Sequence, residues 1–404
     1  MIHVAVLGYG TVGSGVVEVI EKNKDMVNKK AGDELDVKYI LDLRDFPGDP
    51  YEDKVVHDFD VIVNDPEVGI VCEVMGGVGA AYTFTKKALE AGKSVCTSNK
   101  ELVAAHGPEL IALAKANNCN YLFEASVGGG IPIIRPLNYS LTAERIEAIT
   151  GILNGTTNYI LSKMENEGAD FESVLKKAQD KGYAERNPEA DVEGHDACRK
   201  IAILSSLMLG QHVDSDKIYT EGITKITAKD FTFAKKLGMS IKLLAMSKAL
   251  EEDKAVAMVS PCLIPADHPL KMVNGVFNAV FVRGNMLGDS MYYGRGAGKL
   301  PTASAVVSDV IDCARHMGKV IMCFWDAKEA NLVSIDDTSR KFFVRMDNKG
   351  ENLAKQLFGD IKPVRVEWIE DEFAFITPEM TEKEFATKYA SLSDYAYGRI
   401  RVEE

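Results

Sequence analysis

Asp196 and Lys200 stand four residues apart at the head of the apolar run Ile201-Ala202-Ile203-Leu204. On a helix that spacing puts both side chains on one face. The preceding loop carries Glu185 and Asp191, so three carboxylates and one ammonium can converge on a small volume. Such a set suits a zwitterionic substrate and a proton transfer at a lysine. Taken alone, the stretch Gly182–Lys200 reads more simply as a capped surface helix with an ordinary Asp–Lys pair. The rest of the chain favours chemistry.

The elements that must position these groups begin at the first residues. Ile2-His3-Val4-Ala5-Val6-Leu7 is a short apolar run, followed at once by Gly8-Tyr9-Gly10-Thr11-Val12-Gly13 and then by apolar residues at helical spacing. Between a strand and a helix, G-x-G-x-x-G is a dinucleotide fingerprint. The first Gly permits the tight turn, and the second lets a pyrophosphate approach the backbone. The third lets the helix pack closely, and the helix amino terminus favours the phosphate charge. Strands are expected at 37–41, 70–74, 94–97 and 121–123, and helices at 80–91 and 101–117. This alternation predicts an α/β fold with a doubly wound parallel sheet.

The texture changes after Ser126-Val127-Gly128-Gly129-Gly130-Ile131-Pro132. An α+β region is expected to about residue 325, and 326–340 reads as a polar linker. The tail reads β (342–346), α (351–358), β (364–370), β (372–376), α (381–392), β (396–402), the βαββαβ order of a ferredoxin-like unit. The division expected is therefore 1–130 for a Rossmann domain, 131–325 for a catalytic and dimerisation domain, and 338–404 for the terminal unit.

Composition excludes several classes. The 404 residues are too many for one core, while 46% hydrophobic and 26% charged residues are ordinary for a globular protein. A net charge of -13 without a basic run argues against nucleic acid or an anionic membrane as partner. No apolar run approaches the roughly 20 residues of a spanning helix. A strand beginning at Ile2 leaves no room for a signal peptide. Seven scattered cysteines without a C-x-x-C pair fit reduced thiols, so a cytoplasmic location is expected. No H-x-x-x-H spacing points to zinc.

Together these motifs carry a resemblance. Gly8–Gly13, Thr97-Ser98-Asn99-Lys100, Glu124–Pro132, Gly151–Tyr159 with its N-G-T-T-N core, Gly182–Lys200 and Gly296–Ser304 occur in that order. They resemble the homoserine dehydrogenases over residues 1–320, and the terminal unit is similar to the ACT-type regulatory domain of many members. The resemblance implies reversible NAD(P)H-dependent reduction of L-aspartate 4-semialdehyde to L-homoserine, in threonine and methionine biosynthesis. It implies Lys200 as proton donor, Lys100 as the group that polarises substrate or holds a water, and Asp196 as an aid to Lys200. By the same resemblance Glu185 accepts the substrate ammonium, while Asp191, Tyr183, Gly155 and Thr156 make further substrate contacts. Gly8, Gly10, Thr11, Val12, Gly13, Lys100, Gly182 and Gly298 would contact the cofactor. A monovalent cation, usually sodium, is implied at Glu124, Val127, Gly129 and Ile131, mostly through backbone carbonyls; without it the segment is a Gly-rich hinge. A homo-oligomer, dimer or tetramer, is also implied.

Cofactor choice stays open between NAD and NADP. Asp42 after the second strand would grip a ribose 2′-hydroxyl, and Arg44 would welcome a 2′-phosphate. Two other classes compete. An aspartate-semialdehyde dehydrogenase needs a cysteine nucleophile, and Cys198 lies beside the site, though off the helix face of Asp196. A non-enzymatic dinucleotide-dependent sensor would leave the charged residues without a purpose. In the terminal unit, Asp347-Asn348-Lys349-Gly350 keeps the glycine but lacks the proline of the effector-binding Asp-x-Pro-Gly turn. The unit is thus expected to serve oligomer contacts more than threonine binding, with Trp368 on its second strand.

Overall fold

The fold is described from a computed structural model covering residues 1–251 and 254–403. The chain forms two compact units, each assembled from three separated segments. Residues 1–146, 202–215 and 284–330 make the first, and 147–201, 216–283 and 331–404 make the second.

The first unit is built on six parallel strands: β1 (Ile2–Leu7), β2 (Leu35–Leu41), β3 (Val55–Val56), β4 (Val68–Glu73), β5 (Ser94–Thr97) and β6 (Tyr121–Leu122). Their order is β3-β2-β1-β4-β5-β6, and every pair in it is parallel. The order reverses between β1 and β4, the switch point where doubly wound sheets bind ligands. Val4–Leu7 are fully buried because helices cover both faces, which is why the strand reads as a continuous apolar run. The crossovers are α1 (Thr11–Lys22), α2 (Lys24–Ala31), α3 (Phe59–Val63), α4 (Gly79–Glu90) and α5 (Lys100–Ala116).

A further helix, Lys299–Arg315, shares the core of this unit. Ala303, Val306 and Val310 cluster there with Val16, Val17 and Ile20 of α1. Contact is close because α1 carries Gly15, where a Cβ would lie 2.9 Å from the Lys299 carbonyl oxygen and 3.0 Å from the Ala303 Cβ.

The second unit is a mixed sheet. Its strands run in the order Phe277–Gly284, Ile146–Ile152, Met239–Glu251, Lys254–Pro265, Ala396–Val402, Ser339–Asp347, Ile369–Ile376, Val364–Val366. The strand Lys254–Pro265 is buried along most of its length. One edge pairs antiparallel with Met239–Glu251. The other is tiled by three parallel pairings: Asn331–Leu332, Tyr219–Thr220 and Arg401–Val402.

The tail shows the expected βαββαβ order: Ser339–Asp347, Glu351–Phe358, Val364–Val366, Ile369–Ile376, Glu382–Ala390 and Ala396–Val402. Its strands stand in the spatial order fourth-first-third-second, all antiparallel, around a core of Phe342, Phe358, Phe373, Phe375 and Phe385. Two expectations are corrected. The strand expected over 364–370 stops at Val366, and Trp368 sits on the turn between strands, 77% exposed. The segment 326–340 is not a bare linker: Asp326–Glu329 pairs with Gln211–His212, and Asn331–Leu332 joins Lys254–Ala255.

The fourth strand of the tail thus continues the catalytic sheet. Two buried arginines fix that junction. Arg345 pairs with Asp230 at 2.7 Å and with Glu372. Arg401 pairs with Glu382 through Nε at 2.6 Å and Nη2 at 2.7 Å, and with Glu221 at 2.6 Å.

Candidate active site

The fingerprint loop has three glycines with three different structural demands. Gly8 has φ +94°, a left-handed conformation that glycine adopts without steric cost. At Gly13 a Cβ would lie 1.8 Å from the Gly8 carbonyl oxygen, so the turn closes only around a bare backbone. At Gly10 a Cβ would meet no protein atom within 4 Å. Packing does not require that glycine, which leaves approach by a ligand as the reason for it. The amino terminus of α1 has no side-chain cap and no acidic residue in its first turn, so its amides and dipole suit an anion. Thr11 is exposed and Val12 half-buried there. These residues fit a dinucleotide. Gly13→Ala is therefore expected to lower stability by about 1–3 kcal/mol through overpacking. Gly10→Ala should keep the wild-type Tm and raise only the cofactor KM. Equal losses of Tm in the two variants would contradict this division of roles.

Asp42 follows β2. Its carboxylate accepts from the Tyr9 amide at 2.9 Å and from Arg44 Nε and Nη2 at 2.9 and 3.0 Å. The Arg44 guanidinium and these amides hold Asp42 well below the usual carboxylate range. Arg44 also lies over the Phe46 ring at 5.1 Å.

The ends of β4 and β5 form a polar network that sequence reasoning missed. Glu73 is fully buried, accepts from Thr97 Oγ1 at 2.7 Å and from the Met75 amide at 2.9 Å. Burial nonetheless pushes its carboxyl up. Asn99 caps α5 through the Leu102 amide at 3.1 Å and donates to the Gly77 carbonyl at 2.6 Å. Lys100 is the first residue of that helix and half-buried. The available signal was a carboxylate closing an apolar strand, Ile70-Val71-Cys72-Glu73.

In the second unit the Asp–Lys pair lies on one helix, His195–Leu209. Lys200 Nζ donates to Asp196 Oδ2 at 2.8 Å and to the Leu153 carbonyl at 2.8 Å, and both charged residues are buried. Asn154 adds a residue that had been quoted only as part of its motif. Its Nδ2 donates to Asp191 Oδ1 at 2.7 Å and to Asp196 Oδ2 at 2.9 Å, while its Oδ1 caps the helix Gly155–Glu167 through the Thr157 amide. One amide thereby gathers both carboxylates and fixes the start of the N-G-T-T-N helix. Burial, with the neighbouring Asp196 charge, raises the Asp191 carboxyl against the pull of the Asn154 hydrogen bond and Lys200.

Thr156 Oγ1 donates to the Tyr183 carbonyl at 2.6 Å, and the exposed Tyr183 ring meets Tyr159 edge-on. Gly155 packs against the backbone of Val276, where a Cβ would lie 3.0 Å from its carbonyl oxygen. Glu185 is exposed, its backbone carbonyl accepting from Gln179. Gly182 turns the chain with φ +71°. It belongs to the second unit, whereas Gly298, with φ +124° at the start of Lys299–Arg315, belongs to the first. Cys198 is buried at 6% exposure, a poor setting for a nucleophile.

The Gly-rich segment assigns Glu124 a definite task. Its carboxylate accepts from the amides of Ile133, Ile134 and Arg135 at 2.6, 2.9 and 2.7 Å. At Gly128 a Cβ would lie 2.3 Å from the Ile131 carbonyl oxygen, and at Gly129 (φ +57°) 2.3 Å from that of Gly296. Among the described residues no group of three or more His, Cys, Asp or Glu side chains could hold a metal ion.

Two family models match the chain: "Homoserine dehydrogenase, NAD binding domain" over residues 8–124 and "Homoserine dehydrogenase" over 132–311. Homoserine dehydrogenase of Bacillus subtilis is 43% identical over 360 residues, 87% of this chain and 82% of that protein. That of Synechocystis is 47% identical over 317 residues, 77% and 73% of the two chains. The crystal structure of a homoserine dehydrogenase from Thiobacillus denitrificans superposes with a TM-score of 0.91 at 36% identity, covering 100% of this chain and 98% of that one. A hyperthermophilic archaeal homoserine dehydrogenase in complex with NADPH matches 77% of this chain and 97% of its own at 29% identity, with a TM-score of 0.64. The chain accordingly belongs to the homoserine dehydrogenase family, NAD(P)-dependent oxidoreductases that interconvert L-aspartate 4-semialdehyde and L-homoserine.

Proposed function

We propose that Lys200 is the proton donor in aldehyde reduction, and the observation that carries this is its bonding pattern. An ammonium has three N–H groups. Two of them are engaged by Asp196 and the Leu153 carbonyl, which orients the third toward an incoming oxygen. Bound NAD(P)H supplies the hydride to the aldehyde carbon. As negative charge grows on the carbonyl oxygen, Lys200 stabilises it and then transfers a proton, giving the alcohol and a neutral amine. In the reverse direction the neutral amine takes the hydroxyl proton. Asp196 holds the lysine in place, and Asn154 keeps Asp196 and Asp191 together. Lys100 polarises the substrate or holds a water near it.

Glu185 accepts the substrate ammonium, with Asp191, Tyr183, Gly155 and Thr156 completing the substrate contacts. Glu185→Gln keeps the shape and removes the charge, so the KM for homoserine should rise roughly tenfold with little change in kcat. A selective rise in cofactor KM instead would move Glu185 to the cofactor pocket.

Gly8, Gly10, Thr11, Val12, Gly13, Lys100, Gly182 and Gly298 are the cofactor contacts in this proposal, and NADP is preferred over NAD. Asp42, already neutralised by Arg44, offers a ribose 2′-substituent a guanidinium rather than a bare carboxylate. The NADPH complex of the archaeal relative supports the same choice. Initial rates of homoserine oxidation with each cofactor test it. Arg44→Ala should raise the KM for NADP+ roughly tenfold and leave that for NAD+ within twofold or so; equal effects on both would refute the preference.

A monovalent cation, sodium, is proposed at the backbone carbonyls of Glu124, Val127, Gly129 and Ile131. The carboxylate of Glu124 is committed to three amides, so its carbonyl is the group that would serve a cation. The 1–130, 131–325 and 338–404 parts are proposed as functional divisions for nucleotide binding, catalysis and an ACT-like module. The protein is proposed to act in the cytoplasm as a homo-oligomer; among the described residues no helix is long and apolar enough to cross a membrane. In the module's first turn, Asp347 already accepts from the Lys349 amide at 2.8 Å and the Tyr397 hydroxyl at 3.3 Å. That occupancy supports a packing role for this turn rather than threonine binding there.

A further inference from the structure

The strand ends of the first unit hold a buried acid to which the proposed reaction gives no part. Glu73 closes β4 at 0% exposure. Its carboxyl is pulled down, against its burial, by neutral donors: the Thr97 hydroxyl, the Met75 and Gly76 amides and the Asn99 side chain. A carboxylate in the interior is costly unless it is paired or hydrogen-bonded, so packing alone does not account for an acid here.

The hydrogen bonds around Glu73 close a ring. Its Oε2 accepts from Thr97 Oγ1 at 2.7 Å and its Oε1 from the Met75 amide at 2.9 Å. Thr97 Oγ1 in turn accepts from the Asn99 amide at 2.9 Å. Asn99 Nδ2 reaches back to the Gly77 carbonyl at 2.6 Å, while Asn99 Oδ1 caps α5 through the Leu102 amide at 3.1 Å. The ring thus ties the turn after β4, residues 74–77, to the turn after β5 and to the helix start that carries Lys100. Its polarity explains the acid. Thr97 and Met75 each bring one hydrogen, so residue 73 must accept on both sides. A carboxylate does so, whereas a glutamine carries a donor on one arm.

Outside the braced turn the space is open. Gly76 and Gly77 are exposed, with φ +83° and +68°, and a Cβ on either would meet no atom within 4 Å. The inner side of the same turn lies against the fingerprint. A Cβ on Gly8 would be 3.1 Å from Met75 Cγ and 3.3 Å from the Val74 carbonyl oxygen. A dinucleotide lies across the crevice at the switch point. With its pyrophosphate at the amino terminus of α1 and its adenosine ribose beside Asp42, the other half has one direction left. It runs across the ends of β4 and β5, onto this turn.

We propose that Glu73 is a positioning residue for the nicotinamide half of the cofactor. By holding the 74–77 turn and the start of α5 in one arrangement, it shapes the surface that receives the nicotinamide and its ribose. The proposal rests on the cofactor contacts assigned to the Gly8–Gly13 turn.

Two pairs of ligands separate the halves of the cofactor: NADP+ against 2′-phospho-ADP-ribose, and NAD+ against ADP-ribose. The second member of each pair lacks the nicotinamide ring. Calorimetric titration of the full-length protein with whichever pair binds gives a ratio of affinities. Glu73→Gln should weaken the nicotinamide-bearing member roughly tenfold, the worth of a hydrogen bond to a charged group, and leave the truncated member within about twofold. Thr97→Val, which removes the hydroxyl but little volume, should do the same, and Thr97→Ser should restore the wild-type ratio. The two Thr97 variants decide the matter if Glu73→Gln folds poorly. Equal weakening of both members overturns the proposal, as does a lower Tm with an unchanged ratio, since Glu73 then supports the fold alone. A wild-type protein that binds neither truncated ligand removes the assignment of the Gly8–Gly13 turn, and this proposal with it.

Discussion

Lys200→Ala is expected to lower kcat for homoserine oxidation roughly 10²–10⁴-fold, the usual worth of a positioned acid–base group. The side chain meets the substrate only where charge develops, so kcat and kcat/KM should fall together. Cofactor KM should stay near wild type, because Lys200 bonds Asp196 and the Leu153 carbonyl within the second unit. Lys200→Arg should recover little, since a guanidinium does not release a proton at working pH. Asn154→Ala should show a smaller loss of the same kind, as both Asp191 and Asp196 lose the amide that gathers them. Stopped-flow single turnovers with homoserine separate the chemical step from product release. A Lys200→Ala enzyme within a few-fold of wild type would remove the residue from the mechanism.

The second large effect is on stability. Arg401 is 2% exposed, carries Glu382 in a bidentate pair and Glu221 on its remaining arm, and lies over the Tyr219 ring at 4.5 Å. Removing Arg401 takes the bidentate partner from Glu382, which keeps Arg340 at 2.8 Å, and one of two guanidiniums from Glu221, which keeps Arg399 at 2.9 Å. Arg401→Ala should therefore cost at most about 3–5 kcal/mol, the loss seen when a buried charge is left with no partner. The double variant Arg401→Met with Glu382→Leu should recover only part of that, because it removes the bidentate pair together but also takes Glu382 from Arg340 and one guanidinium from Glu221. Urea titration of the second unit's transition checks both. A single variant as stable as wild type would show that the terminal strand is held by its backbone pairing alone.

The size of that effect bears on how the tail is to be regarded. A βαββαβ pattern in sequence suggests a self-standing module joined by a linker. In the structure its last strand continues the sheet through Arg401–Val402 against Cys262–Leu263, and its arginines reach acids at 221 and 230. Truncation at residue 326 would therefore strand Glu221 and Asp230 in the catalytic unit, so a truncated chain reports on that unit's stability as well as on assembly.

Much of the fold was legible because it is written locally. The turn Gly8–Gly13 is governed by steric contacts within six residues, with Gly8 and Gly13 touching each other. Strand and helix periods set β5 at Ser94–Thr97 and the helix Glu351–Phe358 where they were expected. The spacing of Asp196 and Lys200 fixes their shared helix face whatever surrounds them. The family's motifs in order then sufficed to indicate the reaction. Elements failed where a boundary depended on a turn rather than a period, as at Val366, where Glu367 and Trp368 reverse the chain and leave the indole outside.

What the sequence determined by itself was each group's type, its local partner and the element carrying it. Only tertiary structure decided which distant groups meet. Asn154 reaches Asp196 across 42 residues, Arg401 reaches Glu221 across 180, and Glu124 spends its carboxylate on three amides instead of presenting it. Likewise Lys299–Arg315 returns to the core of the first unit because Gly15 leaves room on α1. Such pairings depend on burial and on desolvated charge seeking its complement. Those energies arise only once the chain has brought the partners together, so no local spacing records them.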